Sequence, residues 1–267
     1  MVRNEAIEIP VDGQHIAGTL VSPVTLAPGI LFVHGWGVDR DTYLPRAREI
    51  AALGCVCLAF DLRGHAATED QRGSVTREDN IHDVVAAYDA LAKHPAVDPS
   101  VMAVVGSSYG GYLAALLTAL RPIQFLALRV PALYKDEDWA LPKQELRKHG
   151  LEAFRQGPVS PGENRALEAC AAFAGDALVV ASERDETIPR PVIANYMAAF
   201  QNVRSLTYRV IAGADHGISE QPWQQVYTSV LLNWATEMVL SAREGGEKSE
   251  VQTSLRPSPK QEPLRPA

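Results

Sequence analysis

The chain is predicted to form an α/β domain, a mostly parallel sheet of about eight strands with helices on both faces. Short apolar runs alternate with segments of helical period along most of the 267 residues. Each run is continuously apolar, as expected of a strand buried on both faces. The composition, 46% hydrophobic and 21% charged, is that of an ordinary folded domain.

The elements follow in order. AIEIPV and HIAGTLVS read as an antiparallel pair, with DGQ as the turn. ILFVH is a buried strand, and TYLPRAREIAALG a helix ending at Gly54. CVCLAFD is the next strand, and a polar loop, LRGHAATEDQRGS, leads to Thr76. Thr76 reads as an N-cap with Asp79 three residues on, opening a helix that runs to Pro95. Strand VMAVVG, helix YGGYLAALLTAL and strand IQFLALRV come next. Residues 131–161 then break the alternation and are too long for a usual connection. They carry Tyr134, Trp139, Leu141 and Phe154 among charges, and are read as a short lid inserted after the sixth strand. ALVVAS, PVIANYMAAF, SLTYRVIA and QPWQQVYTSVLLNWATEMVL resume strand, helix, strand, helix. Residues 1–242 thus make one domain. The proline-rich, aromatic-free stretch 243–267 reads as a disordered tail.

The net charge of -7 and the scattered Lys and Arg argue against a nucleic-acid surface. No apolar run is long enough for a membrane span, and the N-terminus lacks the apolar core of a signal peptide, so a cytoplasmic address is expected. The three cysteines offer no disulfide framework. Cys55 and Cys57, two apart in a strand, read as buried core thiols rather than a zinc pair.

Chemistry concentrates at GSSYG, residues 106–110, which matches G-x-S-x-G between a buried strand and an Ala/Leu-rich helix. A strand turning straight into a helix crowds its own corner, hence the glycines on either side. The register selects Ser108 as nucleophile and leaves Ser107 in the variable position. A plain glycine-rich turn is the bland alternative, and phosphate-loop patterns are absent. A hydroxyl needs a base and a group that orients it. His216, in GADHG after the last strand, is the candidate base. Asp185, just past ALVVAS, is the candidate acid; Asp215 is the rival, but as the direct neighbour of His216 it is poorly placed to reach that ring. Backbone N–H groups of Trp36, in HGWG, and of Tyr109 are placed to stabilise an oxyanion.

HGWG, DLRGHA, GSSYGGY, ASERDETIP and GADHG, in this order over about residues 15–240, resemble the α/β-hydrolase-fold serine hydrolases. Ala66 stands where that family usually has the last glycine of its second motif. SYGGY is similar to prolyl-oligopeptidase-like members, though the chain has no room for their propeller. The resemblance implies a carboxylesterase-like serine hydrolase working through Ser108, Asp185 and His216 and an acyl-enzyme. Peptidase or amidase action, or small-molecule binding on the same fold, are the alternatives. The expected partner is a small-molecule ester, with no cofactor, metal, nucleic acid or membrane. Tyr134, Trp139 and Phe154 of the lid are the expected substrate contacts.

Overall fold

Asp12 and Gly13, with φ of 46° and 74°, turn the chain between β1 (Arg3–Val11) and β2 (Gln14–Ser22). Both positive φ values suit the tight turn whose twist matches that of paired strands. The computed structural model describes residues 3–22, 26–148 and 150–254, with residues 3, 22, 147, 148 and 241–254 described by their backbone alone.

β2 pairs antiparallel with β4 (Val56–Phe60), and every later pairing is parallel. β3 (Ala27–Val33) lies between β4 and β5 (Val97–Ser107), and β6 (Phe125–Arg129), β7 (Asp176–Ser182) and β8 (Ser205–Ile211) follow outward. The eight strands therefore run in the order β1-β2-β4-β3-β5-β6-β7-β8. The chain leaves β3 toward one side and returns at β5 on the other. This reversal opens a crevice at their carboxyl ends, where ligands of open α/β sheets bind.

Strand pleating sends alternate side chains to opposite faces. Leu31 and Val33 join one core and Ile30 and Phe32 the other. The second core is covered by α1 (Leu44–Ala52) and the long C-terminal helix Gln221–Ser254. The first is covered by α2 (Arg77–Ala92), α3 (Tyr109–Leu117) and, past the insertion, the helices Arg165–Ala172 and Arg190–Ala199. Thr76 caps α2 as expected, accepting from the Asp79 N–H while the Asp79 carboxylate accepts from the Thr76 N–H. Cys55 and Cys57 are buried in the second core.

The insertion after β6 holds a 3₁₀ turn at Lys143–Lys148 and a short helix α4 (Leu151–Arg155). The following helix, α5 (Arg165–Ala172), was not anticipated from the sequence. Its cap is present there, however: the Asn164 carboxamide accepts from the Ala166 and Leu167 N–H groups. Numbering continues with α6 (Arg190–Ala199) and α7 (Gln221–Ser254). The sequence predicts disorder from 243, whereas the backbone of α7 stays helical to Ser254; the remainder of that stretch, 255–267, lies outside the described residues. No helix among the described residues is long and apolar enough to cross a membrane.

Candidate active site

Ser108 sits between the end of β5 and the first turn of α3, with φ 53° and ψ −115°. This conformation is strained for a residue with a side chain, and the surrounding backbone imposes it. A Cβ on Gly106 would lie 2.4 Å from the Gly110 carbonyl oxygen, and one on Gly110 would lie 2.1 Å from that of Val33. Only glycine allows the strand, the turn and the helix to approach so closely.

The Ser108 hydroxyl stands 2.9 Å from His216 Nε2, and His216 Nδ1 stands 2.8 Å from Asp185 Oδ2. The second carboxylate oxygen, Oδ1, accepts from the N–H groups of Thr187 and Ile188. Burial pushes the Asp185 carboxyl up. The His216 ring and those two N–H groups outweigh it, and the group rests below the usual carboxylate range. The loops carrying these residues are tied together, Arg184 N–H donating to the Ala214 carbonyl and Gly213 N–H to the Glu183 carboxylate. Asp215 turns away: its carboxylate accepts from the N–H and hydroxyl of Ser219.

Ser107 is occupied elsewhere. Its hydroxyl accepts from Arg129 Nε at 2.7 Å, and Arg129 Nη1 donates to the His216 carbonyl at 2.8 Å. Arg129, at the end of β6, thereby braces the His216 loop against the Ser108 turn. The sequence offered no local signal for it, because its partners lie 22 and 87 residues away.

The HGWG turn is supported by the DLRGH segment. Asp61 accepts from the Arg40 N–H at 2.9 Å and pairs with its guanidinium. His34 Nδ1 donates to the Gly35 carbonyl, and its Nε2 accepts from the Leu62 N–H. His65 Nε2 accepts from the Gly37 N–H, and its ring packs edge-on against Trp36 at 4.6 Å. Burial pushes both imidazoles down to about 4, so both are neutral near pH 7 and each can offer a ring nitrogen as acceptor. His65 is thus a buried strut. Ala66 takes φ 48°, a left-handed conformation that glycine would adopt more cheaply. A Cβ on Gly35 would lie 3.3 Å from the Ser107 carbonyl oxygen, so this turn lies directly against the Ser108 turn. Tyr109, the first residue of α3, has no i−4 acceptor for its N–H within the helix. Its ring is fixed by a hydrogen bond from the hydroxyl to Asn80 Oδ1 at 2.9 Å.

A cavity of about 370 Å³ opens onto Ser108 and His216, with Trp36, Tyr109 and Tyr134 among its walls. Of the three lid aromatics expected to meet substrate, only Tyr134 lines it. Trp139 lies instead between the Arg77 and Arg165 guanidinium groups, 5.1 and 4.6 Å from its ring, and lines a separate groove beside Leu116. Phe154 packs on the core beneath the insertion. Two lid side chains passed over in the sequence, Lys143 and Arg155, do line the cavity. A hydroxyl, imidazole and carboxylate hydrogen-bonded in series, beside two turns rich in backbone donors, can carry out nucleophilic attack on a carbonyl.

Comparison with known proteins bears on the family and the fold. The chain is 35% identical over 116 residues to the pimeloyl-[acyl-carrier protein] methyl ester esterase of Chromobacterium violaceum, a match covering 42% of this chain and 41% of that protein. It is 28% identical over 117 residues to a polyketide transferase of Gibberella fujikuroi, covering 43% and 37%. The matched segment thus spans about two fifths of each curated relative's length. Among solved structures, an esterase of Pyrococcus furiosus superposes with a TM-score of 0.68 at 18% identity, covering 89% of this chain and 92% of that one, a likeness of fold. The sequence model of the alpha/beta hydrolase family matches residues 30–228, three quarters of the chain, and the protein belongs to that family.

Proposed function

We propose that this protein is a serine hydrolase that cleaves small carboxylic esters through a triad of Ser108, His216 and Asp185. The reading rests on one observation: a strained serine whose hydroxyl lies 2.9 Å from an imidazole that is itself held by a buried carboxylate. His216 takes the Ser108 proton as Oγ attacks the ester carbonyl. The oxygen that becomes negative is stabilised by the N–H groups of Trp36 and Tyr109. His216 then gives its proton to the departing alkoxide, leaving an acyl-enzyme. Water, deprotonated by the same ring, releases the acid. Asp185 keeps the ring in the tautomer that presents Nε2 to the serine. The match to a methyl ester esterase supports ester over amide chemistry.

A fluorophosphonate is expected to label Ser108 in the native protein and to leave Ser108→Ala unlabelled. Ser108→Ala should lower kcat on a phenyl ester by at least ~10³, whereas Ser107→Ala should lose far less. An adduct mapped to Ser107, or turnover retained in Ser108→Ala, would overturn the assignment. A parallel anilide assay separates amidase action, which predicts comparable rates on the two substrates.

A further inference from the structure

Among the described residues, the cavity at Ser108 is lined by two basic side chains, Lys143 and Arg155, and by no Asp or Glu. Both cations are buried, 9% and 7% exposed. Neither has a carboxylate within 4 Å among the described residues. Glu152 and Glu186 lie on the outer side of Arg155 and are exposed. The chain as a whole is acidic, so this concentration of positive charge is local.

The two cations are held differently. Arg155 donates through Nε to the Leu133 carbonyl at 2.9 Å and through Nη1 to the Thr187 carbonyl at 3.5 Å. Its planar fork is largely committed to bracing the insertion. Lys143 is fixed by its backbone, whose N–H donates to the Val75 carbonyl at 2.8 Å. Its ammonium meets ring faces: Trp36 at 4.7 Å, Tyr109 at 4.9 Å and Tyr134 at 5.1 Å. Ring faces offset only part of the cost of removing an ammonium from water. Arg77 stands 5.7 Å from the Tyr134 ring, fully buried, with Nε and Nη2 unpartnered. Three cations therefore surround one tyrosine beside the nucleophile. Burial raises the Tyr134 phenol, but Lys143 and Arg155 outweigh it and draw the group below its usual range, a further sign of positive potential there.

We infer that the ester substrate carries a second, anionic group, a carboxylate, and that Lys143 binds it within the Ser108 cavity. A point-charge ammonium with no competing acid suits a single carboxylate. Arg155, with Nε and Nη1 committed to the Leu133 and Thr187 carbonyls, adds positive potential rather than a bidentate partner, which leaves the ammonium as the one-point anchor. Lys143 is then the residue that selects half-esters of dicarboxylic acids over neutral esters of equal length. The inference rests on the ester-hydrolase reading, and its test separates the two.

Phenyl hydrogen glutarate and phenyl pentanoate share leaving group and chain length and differ by one carboxylate. The native protein should prefer the glutarate by at least tenfold in kcat/KM, and Lys143→Met should bring that ratio close to one, with Lys143→Arg in between. Equal rates on the two esters in the native protein would overturn the inference. So would a Lys143→Met variant that loses both rates and keeps the ratio, which would make Lys143 a support of the oxyanion or of the fold. Glutarate itself, titrated calorimetrically into the native protein and Lys143→Met, gives an arm that needs no turnover. Binding lost in the variant supports the inference, and absent or unchanged binding overturns it. Failure of the hydrolase reading shows separately, as a Ser108 that fluorophosphonate does not label.

Discussion

The Ser108 turn and the 131–161 insertion face one another across one cavity and are held by opposite means. The turn is a backbone structure, in which glycines let three segments touch and the strained serine has nowhere else to go. The insertion is anchored by Leu133, Leu146 and Leu151 in the core and by two backbone bonds, from Ala132 N–H to Ser108 and from Lys143 N–H to Val75, and between these it is tied by side chains reaching to carbonyls. Arg155 reaches Leu133, Gln144 reaches Gly73, and Asn164 Nδ2 reaches Tyr134 at 2.7 Å. A single antiparallel bridge, Thr76 to Pro142, adds to them. The difference assigns tasks to the two sides. Close backbone packing fixes reacting atoms within fractions of an ångström, as chemistry requires. Side-chain tethers can be exchanged one at a time, so substitutions in the insertion are expected to change substrate preference without loss of the reaction, whereas those in the turn are expected to abolish it.

The largest expected effect lies on the rigid side. Asp185→Asn should lower kcat by about 10³–10⁴, because an amide at that position favours the wrong tautomer of His216. Asp215→Asn, whose carboxylate only caps Ser219, should stay within about tenfold of the native rate. Steady-state kinetics on the two variants decide between them, and the reverse order would place the orienting acid at 215.

A smaller effect concerns the base of the same side. His34 and His65 are both pushed down by burial, from 6.5 to about 4. Above about pH 6.5 neither folded nor unfolded chain protonates them, and they contribute no slope. Between pH 6.5 and about 4 the unfolded chain takes up protons that the folded chain refuses, so stability falls as pH falls. Each histidine contributes a loss on the order of 3 kcal/mol over that range. Asp61 and Asp83, which burial raises against the pull of Arg40 and Arg63, titrate in the opposite sense as pH falls. Urea unfolding at pH 7.5 and 4.5 should therefore compare the native protein with His65→Gln. The variant should show the shallower pH dependence. Identical slopes would mean that His65 is protonated within the fold.

The same division explains what could be read from the sequence. The G-x-S-x-G spacing and the alternating strands and helices are local patterns, since each reflects crowding or periodicity within a few residues. The Thr76 cap was legible for the same reason. Asp185 and His216, 31 residues apart and far from Ser108, were legible only from their places just past strand ends and from the family's motif order. Lys143, Arg129 and His65 were not, because each matters through a partner far along the chain: Lys143 through Trp36 and Tyr109, Arg129 through His216, His65 through Gly37. Trp139 and Phe154 misled for a related reason. An aromatic among charges signals burial against something, and the sequence does not say whether that is substrate, core or an arginine. The eight-residue α5 was too short for its period to stand out beside the insertion.

The smallest expected effect tests the far edge of the insertion. Trp139 has its ring between Arg77 and Arg165 and donates from Nε1 to Glu78 Oε2 at 3.3 Å. These contacts tie residues 138–140 to the start of α2 and of α5, away from Ser108. Phe154 is half-buried on the core side of α4. Trp139→Ala removes two cation–π contacts and part of a large ring from cover, and Phe154→Ala removes a smaller area. Each should cost roughly 1–2 kcal/mol of stability. Neither side chain lines the cavity, so the ratio of kcat/KM between short and long acyl esters should stay within about twofold of native. Tyr134→Phe keeps the ring against Lys143 and serves as the contrasting variant inside the cavity. If Trp139→Ala or Phe154→Ala, fully folded under the assay conditions, shifts the chain-length ratio by tenfold, the insertion closes over substrate as one piece. The boundary between its structural and substrate-facing halves would then have to be redrawn.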